Sequence, residues 1–307
     1  MGESALEGFQ SDITLPHEAP FELYHNAFST CSMKVRVCLS ELGIRYVSHH
    51  IDLIETGSYE NVGSAFARIN PGKTVPVLVH NGHPIYESDE QISYAASLAE
   101  ASSPGLVPAG GDQRELMDCW MQRAAVTHDP LNELDKSAGN AIPGLSLVLF
   151  AAMIEKIPFR EIAVGYLRHF DRRRPLLFSV LKLFGMSVIQ WLPLLKTMES
   201  SARLAMGEHL DALEAHLSDS DGPWITGLVF TLADVSWLAI LERLRQADHL
   251  EGQVNSELRP ACHAYWQALQ RRDAYREAIL EQQHPLVEYG TNRIQQAKRA
   301  GRLYQAY

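Results

Sequence analysis

Hydroxyl groups and one thiol cluster in the segment FSTCSMKVRVCLSELG, residues 28–43. Ser29 and Cys31 carry the side-chain types that perform nucleophilic chemistry. Serine and threonine also commonly begin helices, because their side chains accept hydrogen bonds from free N–H groups of the first turn. Apolar residues follow at helical spacing as far as Leu42, and Gly43 is typical of a residue just beyond a helix end. The segment predicts a helix start. Its hydroxyl and thiol groups either take part in catalysis or only cap the helix.

Composition sets limits on the function. A chain of 307 residues suggests about two domains. Its net charge of −10 argues against nucleic acid as a partner. Four cysteines in a chain of this length do not form a disulfide framework, and their spacing fits no zinc site. No secretory signal is visible at the start, so the sequence predicts a cytoplasmic protein with free thiols and no bound metal.

The first hundred residues alternate between strand and helix patterns. FELYH (21–25) and IRYVSHHIDL (44–53) read as strands on either side of the first helix. TVPVLVHNGHPIYES (74–88) contains an Asn-Gly pair between two apolar runs, which favours a tight antiparallel hairpin. Ser88 and Gln91 have the spacing of a capping box ahead of a further helix. These elements predict a four-stranded mixed sheet in a thioredoxin-like domain.

The remainder of the chain predicts an all-α domain. Residues 1–20 are interpreted as an N-terminal extension, 21–101 as the thioredoxin-like domain, 102–111 as a linker and 112–307 as the helical domain. Near its start this domain holds an unusually apolar insertion at about 136–196. Charged residues and proline interrupt the apolar runs, so no membrane span is expected. Core or substrate-cavity helices are the favoured interpretation, with a membrane-surface patch as the alternative.

Three segments together carry a resemblance to the glutathione transferase superfamily over nearly the whole chain. INPGKTVPVLV resembles the family segment that contains a cis proline, YESDEQISYAA its Glu-Ser segment, and GLVFTLADVSW the cap of its C-terminal helix. The segment STCSMKVR is similar to that of zeta-class maleylacetoacetate isomerases and of glutathione-dependent dehalogenases acting on chlorinated hydroquinones. The extra length of the insertion departs from those shorter relatives.

The resemblance implies roles in binding glutathione as cosubstrate. Glu87 and Ser88, at a helix N-terminus, would hold the γ-glutamyl part, because free N–H groups there suit a carboxylate. A cis peptide at Pro76 would turn the backbone of Val75 toward the cysteinyl part, in the manner of an added strand. Lys73 or Thr74 would supply a further contact.

The resemblance also implies two different roles at the first helix. Ser29 would donate its hydroxyl to the glutathione sulfur and favour the thiolate, which is the reactive form. Cys31 would lie in the first turn, where partial positive charge favours its own thiolate, and would attack an activated substrate or resolve a glutathionyl adduct. A small packing residue is the alternative for Cys31. The other three cysteines, Cys38, Cys119 and Cys262, are expected in the core.

These observations lead to a glutathione-dependent enzyme acting on a hydrophobic, electrophilic small molecule, with aromatic compounds among the candidates. The resemblance also implies a homodimer. The alternative is a non-catalytic or membrane-associated adaptor on the same scaffold, suggested by the apolar insertion. Aromatic and histidine side chains near the expected helices are candidates for the second-substrate pocket: Trp120, His128, Tyr166 and Trp191.

Overall fold

The computed structural model describes residues 6–98, 105–127, 129–130, 132–169 and 171–303. Its single sheet has the strand order β1-β5-β4-β2-β3. β2 runs parallel to β3, and the other neighbours pair antiparallel. The strand bounds are β1 Gly8–Phe9, β2 Phe21–His25, β3 Val47–His50, β4 Val77–His80 and β5 His83–Tyr86.

Helices connect and cover this sheet in the thioredoxin-like order that the sequence predicts. They are α1 Thr30–Glu41, a 3-10 turn Glu60–Val62, α2 Ser64–Ala67 and α3 Ser88–Ser97. The prediction of four strands was wrong by one, because Gly8–Phe9 of the N-terminal extension adds a fifth at the β5 edge. A strand of two residues is too short to give an alternating apolar pattern, so the sequence carries no signal for it.

The Asn-Gly hairpin is confirmed by backbone geometry. Asn81 has φ 50° and Gly82 has φ 85°, and the turn joins β4 directly to β5. Two consecutive positive φ values are characteristic of the tight turn whose twist matches that of the flanking strands. A β-carbon on Gly82 would also lie 2.9 Å from the carbonyl oxygen of Leu15, so the close approach requires glycine.

From Gly111 onward the regular secondary structure of the described chain is helical, apart from an isolated bridge between Trp224 and Gly227. The helices are α4 Gly111–Ala124, α5 Ala138–Leu145, α6 Leu147–Ile154, α7 Phe159–Arg168, α8 Arg173–Phe184, α9 Val188–Trp191, α10 Pro193–Ser218, α11 Leu232–Gln246, α12 Leu250–Gln253, α13 Pro260–Gln270, α14 Asp273–Tyr275, a π-helical turn Arg276–Leu280 and α15 Pro285–Arg299. Residues 102–104 of the predicted linker lie outside the described residues, and the division into domains stays a prediction.

Helix α11 is the centre of the larger core. It is buried along nearly its whole length and packs against α1, α4 and α5. Its predicted capping box is present, with the Thr231 N–H donating to Asp234 Oδ2 at 2.8 Å. Asp234 also accepts from the Ile225 N–H at 3.0 Å and the Tyr265 hydroxyl at 2.9 Å. Burial raises the pKa of Asp234 to about 6 despite these hydrogen bonds.

Helices α5 to α9 fall within the predicted insertion. A second core cluster joins apolar side chains of α6 to α9 to Phe28, Ile54 and Tyr59 of the sheet-containing part, whereas those of α5 lie in the larger core. The insertion therefore packs against the loop that leads into α1. Among the described residues, no helix combines the length and apolarity needed to cross a membrane.

Candidate functional site

Ser29 is the N-cap of α1, as the sequence predicts. Its Oγ accepts a hydrogen bond from the Ser32 N–H at 3.3 Å, and the hydroxyl hydrogen is not used in that bond. Asn26 fixes the preceding loop from a fully buried position: its Oδ1 accepts from the Phe28 N–H at 2.9 Å and its Nδ2 donates to the Ile51 carbonyl at 2.8 Å. Loop and helix start are thus held in one arrangement.

Cys31 lies in the first turn of α1 as a half-buried free thiol. Three residues further on, the buried Lys34 ammonium donates to Asp89 Oδ1 at 2.7 Å, which joins α1 to the first turn of α3. Burial acts to lower the pKa of Lys34, but Asp89, Cys31 and Glu87 together raise it above its usual value. Cys31 and Glu87 therefore lie within electrostatic reach of the same ammonium group, and the Lys34–Asp89 bond holds the N-terminal turns of α1 and α3 together.

The loop before β4 is shaped by Asn70. Its Nδ2 donates to the Thr74 carbonyl at 2.8 Å, and its Oδ1 accepts from the Gly72 N–H at 2.8 Å. The Val75-Pro76 peptide bond is cis, which confirms that part of the resemblance. Val75 lies outside the β-ladder and makes no backbone hydrogen bond to another residue of the described chain. Its N–H and C=O groups are therefore not part of the sheet.

The predicted capping box at α3 was wrong. Ser88 is the first helical residue and Glu87 occupies the N-cap position without a side-chain cap. Gln91 instead donates from Nε2 to the Pro76 carbonyl at 2.8 Å, so this side chain ties α3 to the cis-proline loop rather than to its own helix end. Glu87 has φ 61°, a conformation that non-glycine residues rarely adopt and that is found at functional sites as well as in turns.

Two buried arginines support the loop before α1, and sequence reasoning missed both. Arg36 donates from Nη1 to the Asn26 carbonyl and from Nη2 to the Ala27 carbonyl, each at 3.2 Å. Arg243 of α11 donates from Nη2 to the Phe28 carbonyl. Burial lowers the pKa of Arg243 to about 9, against the opposing effect of nearby acidic groups that include Cys31. A charged residue inside an apolar helix pattern was the only available signal.

The insertion forms an aromatic wall next to this loop. The centroids of the Phe28 and Phe150 rings are 5.8 Å apart, and those of Phe150 and Phe178 are 6.0 Å apart. An ion pair between the buried Glu55 and the exposed Arg174, with Oε1 and Nη2 2.6 Å apart, also joins the insertion to the sheet-containing part. The apolar insertion therefore borders the position before Ser29.

Of the candidates for the second-substrate pocket, Tyr166 is half-buried and its hydroxyl contacts Ser179 Oγ at 3.0 Å. Trp120 is buried in the larger core, and Trp191 is 56% exposed to solvent. His128 lies outside the described residues. None of the residues predicted for the glutathione site lines either of two surface cavities, of about 700 and 350 Å³, which lie near Trp224 and Phe184 respectively.

Two of the other three cysteines are core residues as predicted. Burial raises the pKa of the Cys38 and Cys262 thiols, and each Sγ lies 3.7 Å from a main-chain carbonyl oxygen. The prediction for Cys119 was wrong, because it is exposed. On α4 the residues Met117, Trp120 and Met121 face inward, and Cys119 falls on the opposite side of the helix. In the described part of the chain, no His, Cys, Asp and Glu group of three or more could hold a metal ion.

Comparisons with known proteins agree with this geometry. Residues 28–98 match the family model "Glutathione S-transferase, N-terminal domain", and residues 198–268 match "Glutathione S-transferase, C-terminal domain". The intervening residues, which contain the insertion, are matched by neither model. The chain belongs to the glutathione transferase superfamily, whose enzymes use glutathione as cosubstrate, and the predicted fold class is confirmed.

Individual relatives cover most of the chain. The glutathione S-transferase TCHQD of Arabidopsis thaliana is 29% identical, covering 84% of this chain and 89% of that protein. The tetrachloro-p-hydroquinone reductive dehalogenase of Sphingobium chlorophenolicum is 25% identical, covering 83% of this chain and 94% of that protein. The β-etherase LigF from Sphingobium sp. strain SYK-6 shares the fold with a TM-score of 0.68 at 20% identity, covering 86% of this chain and all of that one.

Proposed function

We propose that this enzyme uses glutathione to transform a hydrophobic electrophilic small molecule, by conjugation, reductive cleavage or isomerisation. An aromatic compound is the favoured class of substrate. The observation that carries the proposal is the convergence of two helix N-termini on the Lys34 ammonium. Ser29 and Cys31 begin one helix, and Glu87 and Ser88 begin the other. Such an arrangement offers N–H donors and positive charge to both a thiolate and a carboxylate.

Glutathione would lie across the gap between these helices. The first turn of α3, with Ser88 and the strained Glu87, would hold the γ-glutamyl group. The open N–H and C=O groups of Val75 would bind the cysteinyl part as an added strand beside Pro76. Lys73 and Thr74 would add contacts from the loop that Asn70 organises. The sulfur then reaches the start of α1.

At that position, Ser29 would donate its unused hydroxyl hydrogen to the glutathione sulfur. The bond stabilises the thiolate, which attacks an electrophilic carbon of the second substrate and forms a carbon–sulfur bond as a halide or other leaving group departs with its electron pair. In the aromatic wall, Phe28 and Phe178 are buried, so the half-buried Phe150 would give the second substrate an apolar neighbour.

Cys31 would add a reductive step to this conjugation. Its thiolate attacks the sulfur of the glutathione thioether, forming a mixed disulfide and releasing a carbanion that takes a proton from water. A second glutathione thiolate then displaces Cys31 and yields oxidised glutathione. The substrate gains two electrons and two thiols supply them. The name of the Sphingobium chlorophenolicum relative, a reductive dehalogenase, favours this reaction over simple conjugation.

Product analysis with Cys31→Ala and Ser29→Ala tests the proposal, with Cys119→Ala as a control that removes an exposed thiol elsewhere. For a chlorinated hydroquinone and glutathione, Cys31→Ala should accumulate the thioether and lose the reduced product, whereas Ser29→Ala should lower both by on the order of 10²-fold. Mass spectrometry of the stalled wild-type enzyme should find glutathione on Cys31. Full reductive turnover by Cys31→Ala would reduce Cys31 to a packing residue.

We further propose that the enzyme is a cytoplasmic homodimer that acts in detoxification or in the breakdown of aromatic compounds. No comparison supports the alternative of a non-catalytic adaptor. Calorimetric titration with glutathione separates the two, because an adaptor without the site would show no binding. Retention of binding in Cys31→Ala would place the affinity in the α3 and Val75 contacts.

A further inference from the structure

The apolar side chains of the insertion divide between two environments. One set is buried against Phe28 and Ile54 in the second core cluster. Another set lies on α7 to α10 and remains between 52% and 68% exposed: Phe159, Leu183, Phe184, Trp191 and Leu194. These five residues are called the insertion face below. Large apolar side chains grouped at a surface mark an interaction site more often than a plain solvent surface.

Contacts within the insertion face connect its members. The rings of Phe184 and Trp191 meet edge-on with centroids 5.7 Å apart. The Lys182 ammonium lies 5.6 Å from the centroid of the Phe159 ring, directly beside Leu183 in the chain. Leu194 follows Trp191 by three residues, at the beginning of α10. Phe184 and Trp191 are thus in direct contact, and Leu183 and Leu194 are near them along the chain. Phe159 is linked to α8 through Lys182, whose ammonium also donates to the Glu155 carbonyl at 2.7 Å.

The charge of the insertion is opposite to that of the rest of the protein. Residues 136–196 contain nine Lys or Arg and three Asp or Glu, a net charge of +6, whereas the other residues account for −16 of the total of −10. The cations include Arg160, whose side chain is 83% exposed, and the exposed pair Arg172 and Arg173. Positive charge is thus concentrated in the same segment as the exposed apolar side chains.

We propose that the insertion face binds the surface of a bilayer that contains anionic phospholipids. Leucine and aromatic side chains enter the boundary between headgroups and acyl chains, while lysine and arginine remain at the level of the phosphates. Each basic residue near an anionic surface contributes about 1 kcal/mol. A second copy of the chain is a poorer occupant, because a twofold contact would bring two faces of net positive charge together.

This placement has a consequence for the enzyme. The buried side of the insertion borders the loop before Ser29, and its exposed side would lie in the bilayer surface. A hydrophobic electrophile concentrated in the membrane would then reach the protein beside its aromatic wall. The insertion face would bind the bilayer surface without any helix crossing the bilayer.

Co-sedimentation of the full chain with vesicles tests the proposal. Vesicles of phosphatidylcholine mixed with phosphatidylglycerol should retain the protein, and those of phosphatidylcholine alone should not. Arg172→Gln with Arg173→Gln should weaken binding on the order of tenfold or more, from about 1 kcal/mol for each charge. Arg271→Gln, an exposed arginine outside the insertion, is the matched control and should bind as wild type does.

The apolar contribution has its own matched pair. Leu183→Gln with Phe184→Gln should abolish retention, whereas Leu228→Gln, which changes a 77% exposed leucine outside the insertion, should leave it unchanged. Trp191 fluorescence should shift to shorter wavelength on binding, since Trp120, Trp237 and Trp266 are already buried and the half-buried Trp224 lies outside the insertion. Equal retention by both vesicle types would overturn the proposal, as would retention unaffected by the Leu183 and Phe184 substitutions.

Turnover of a water-soluble electrophile by the same variants separates this proposal from the enzymatic one. The insertion-face variants should lose vesicle binding and retain turnover. Ser29→Ala should show the reverse pattern, with vesicle binding retained and turnover lost. Self-association of the wild type through the insertion face, detected as a mass change that Leu183→Gln removes in the absence of vesicles, would also overturn the bilayer as its occupant.

Discussion

Arg243 donates from Nη2 to the main-chain carbonyl of Phe28, and its guanidinium carbon lies 3.6 Å from the centroid of the Phe28 ring. A residue near the end of the central helix of the α-helical part therefore fixes the residue that precedes the N-cap of α1. The Nε and Nη1 atoms of Arg243 are buried and have no hydrogen-bond partner among the described residues. The position of Ser29 thus depends on a cation that is only partly satisfied.

Substituting the two buried arginines should have unequal effects on stability. Arg36 uses Nε, Nη1 and Nη2 in hydrogen bonds to main-chain carbonyls and to His25, so Arg36→Met should lower the free energy of unfolding by about 3–5 kcal/mol. Arg243→Met removes one hydrogen bond to a carbonyl together with two buried donors that lack a partner. It should therefore lower the free energy of unfolding by less, about 1–2 kcal/mol. Urea denaturation followed by circular dichroism measures both.

A cost for Arg243→Met as large as that for Arg36→Met would contradict this argument and would mean that bound water satisfies the two atoms. Arg245→Met provides a control on the same helix, because Arg245 pairs with Glu242 at 2.7 Å and is one-third exposed. It should cost about 1–2 kcal/mol through the buried carboxylate that it leaves unpaired.

Two glycines in helices offer a matched test of how the insertion docks. A β-carbon on Gly165 of α7 would lie 2.4 Å from the ring of Tyr59, which belongs to the sheet-containing part. Gly165→Ala should therefore destabilise the protein by about 1–3 kcal/mol and lower turnover of bulky electrophiles, because α7 must move away from the loop. Thermal unfolding and steady-state kinetics report the two effects.

Gly207 of α10 is the control, since a β-carbon there would find only Arg259 Nη2 at 3.8 Å. Gly207→Ala should stabilise the protein by up to about 1 kcal/mol through helix propensity. An increase in stability for Gly165→Ala as well would show that α7 does not press on Tyr59.

Local sequence signals explain why much of the fold and part of the site could be predicted. The Asn81-Gly82 turn, the Ser29 cap and the Thr231–Asp234 box each depend on residues within a few positions of one another. Physical preferences at that range survive in most tertiary contexts.

Contacts between distant residues explain the failures. Gln91 had the correct spacing for a capping box, but the Pro76 carbonyl, brought near by the hairpin, competes for its amide. Arg243 lies 215 residues from Phe28 along the chain, so no local pattern connects them. The prediction for Cys119 failed for a different reason: Met117, Trp120 and Met121 have the spacing of one helix face that excludes it, but the prediction relied on the general tendency of free cysteines to be buried.

The capping box of α11 should be the most sensitive polar feature of the larger core. Asp234→Ala would leave the Ile225 and Thr231 N–H groups and the Tyr265 hydroxyl without their acceptor, so we expect a loss of about 3–5 kcal/mol. Thr231→Ala removes only the cap side chain and should cost about 1 kcal/mol. Similar losses from the two substitutions, measured by chemical denaturation, would contradict the central role of the carboxylate.

The pH dependence of stability should be governed by two buried histidines. Burial, aided by Arg36, lowers the pKa of His25 to about 3, and burial, aided by Lys298, lowers that of His249 to about 4. Both are neutral in the folded state, whereas in the unfolded chain they bind protons below about pH 6.5. The unfolded state therefore gains protons first as the pH falls, and stability decreases from about pH 6.5 downward.

Each histidine should lower the free energy of unfolding by about 2 kcal/mol between about pH 7.5 and pH 5. Asp234 acts in the opposite direction, because its pKa is raised to about 6 and the folded state binds that proton first. Protonation of Asp234 should raise the free energy of unfolding by about 1 kcal/mol over the same range. The three groups together should therefore lower it by about 3 kcal/mol. Urea denaturation at the two pH values measures the loss. His249→Gln should reduce it by about 2 kcal/mol, and an unchanged pH dependence in that variant would show that His249 is protonated while folded.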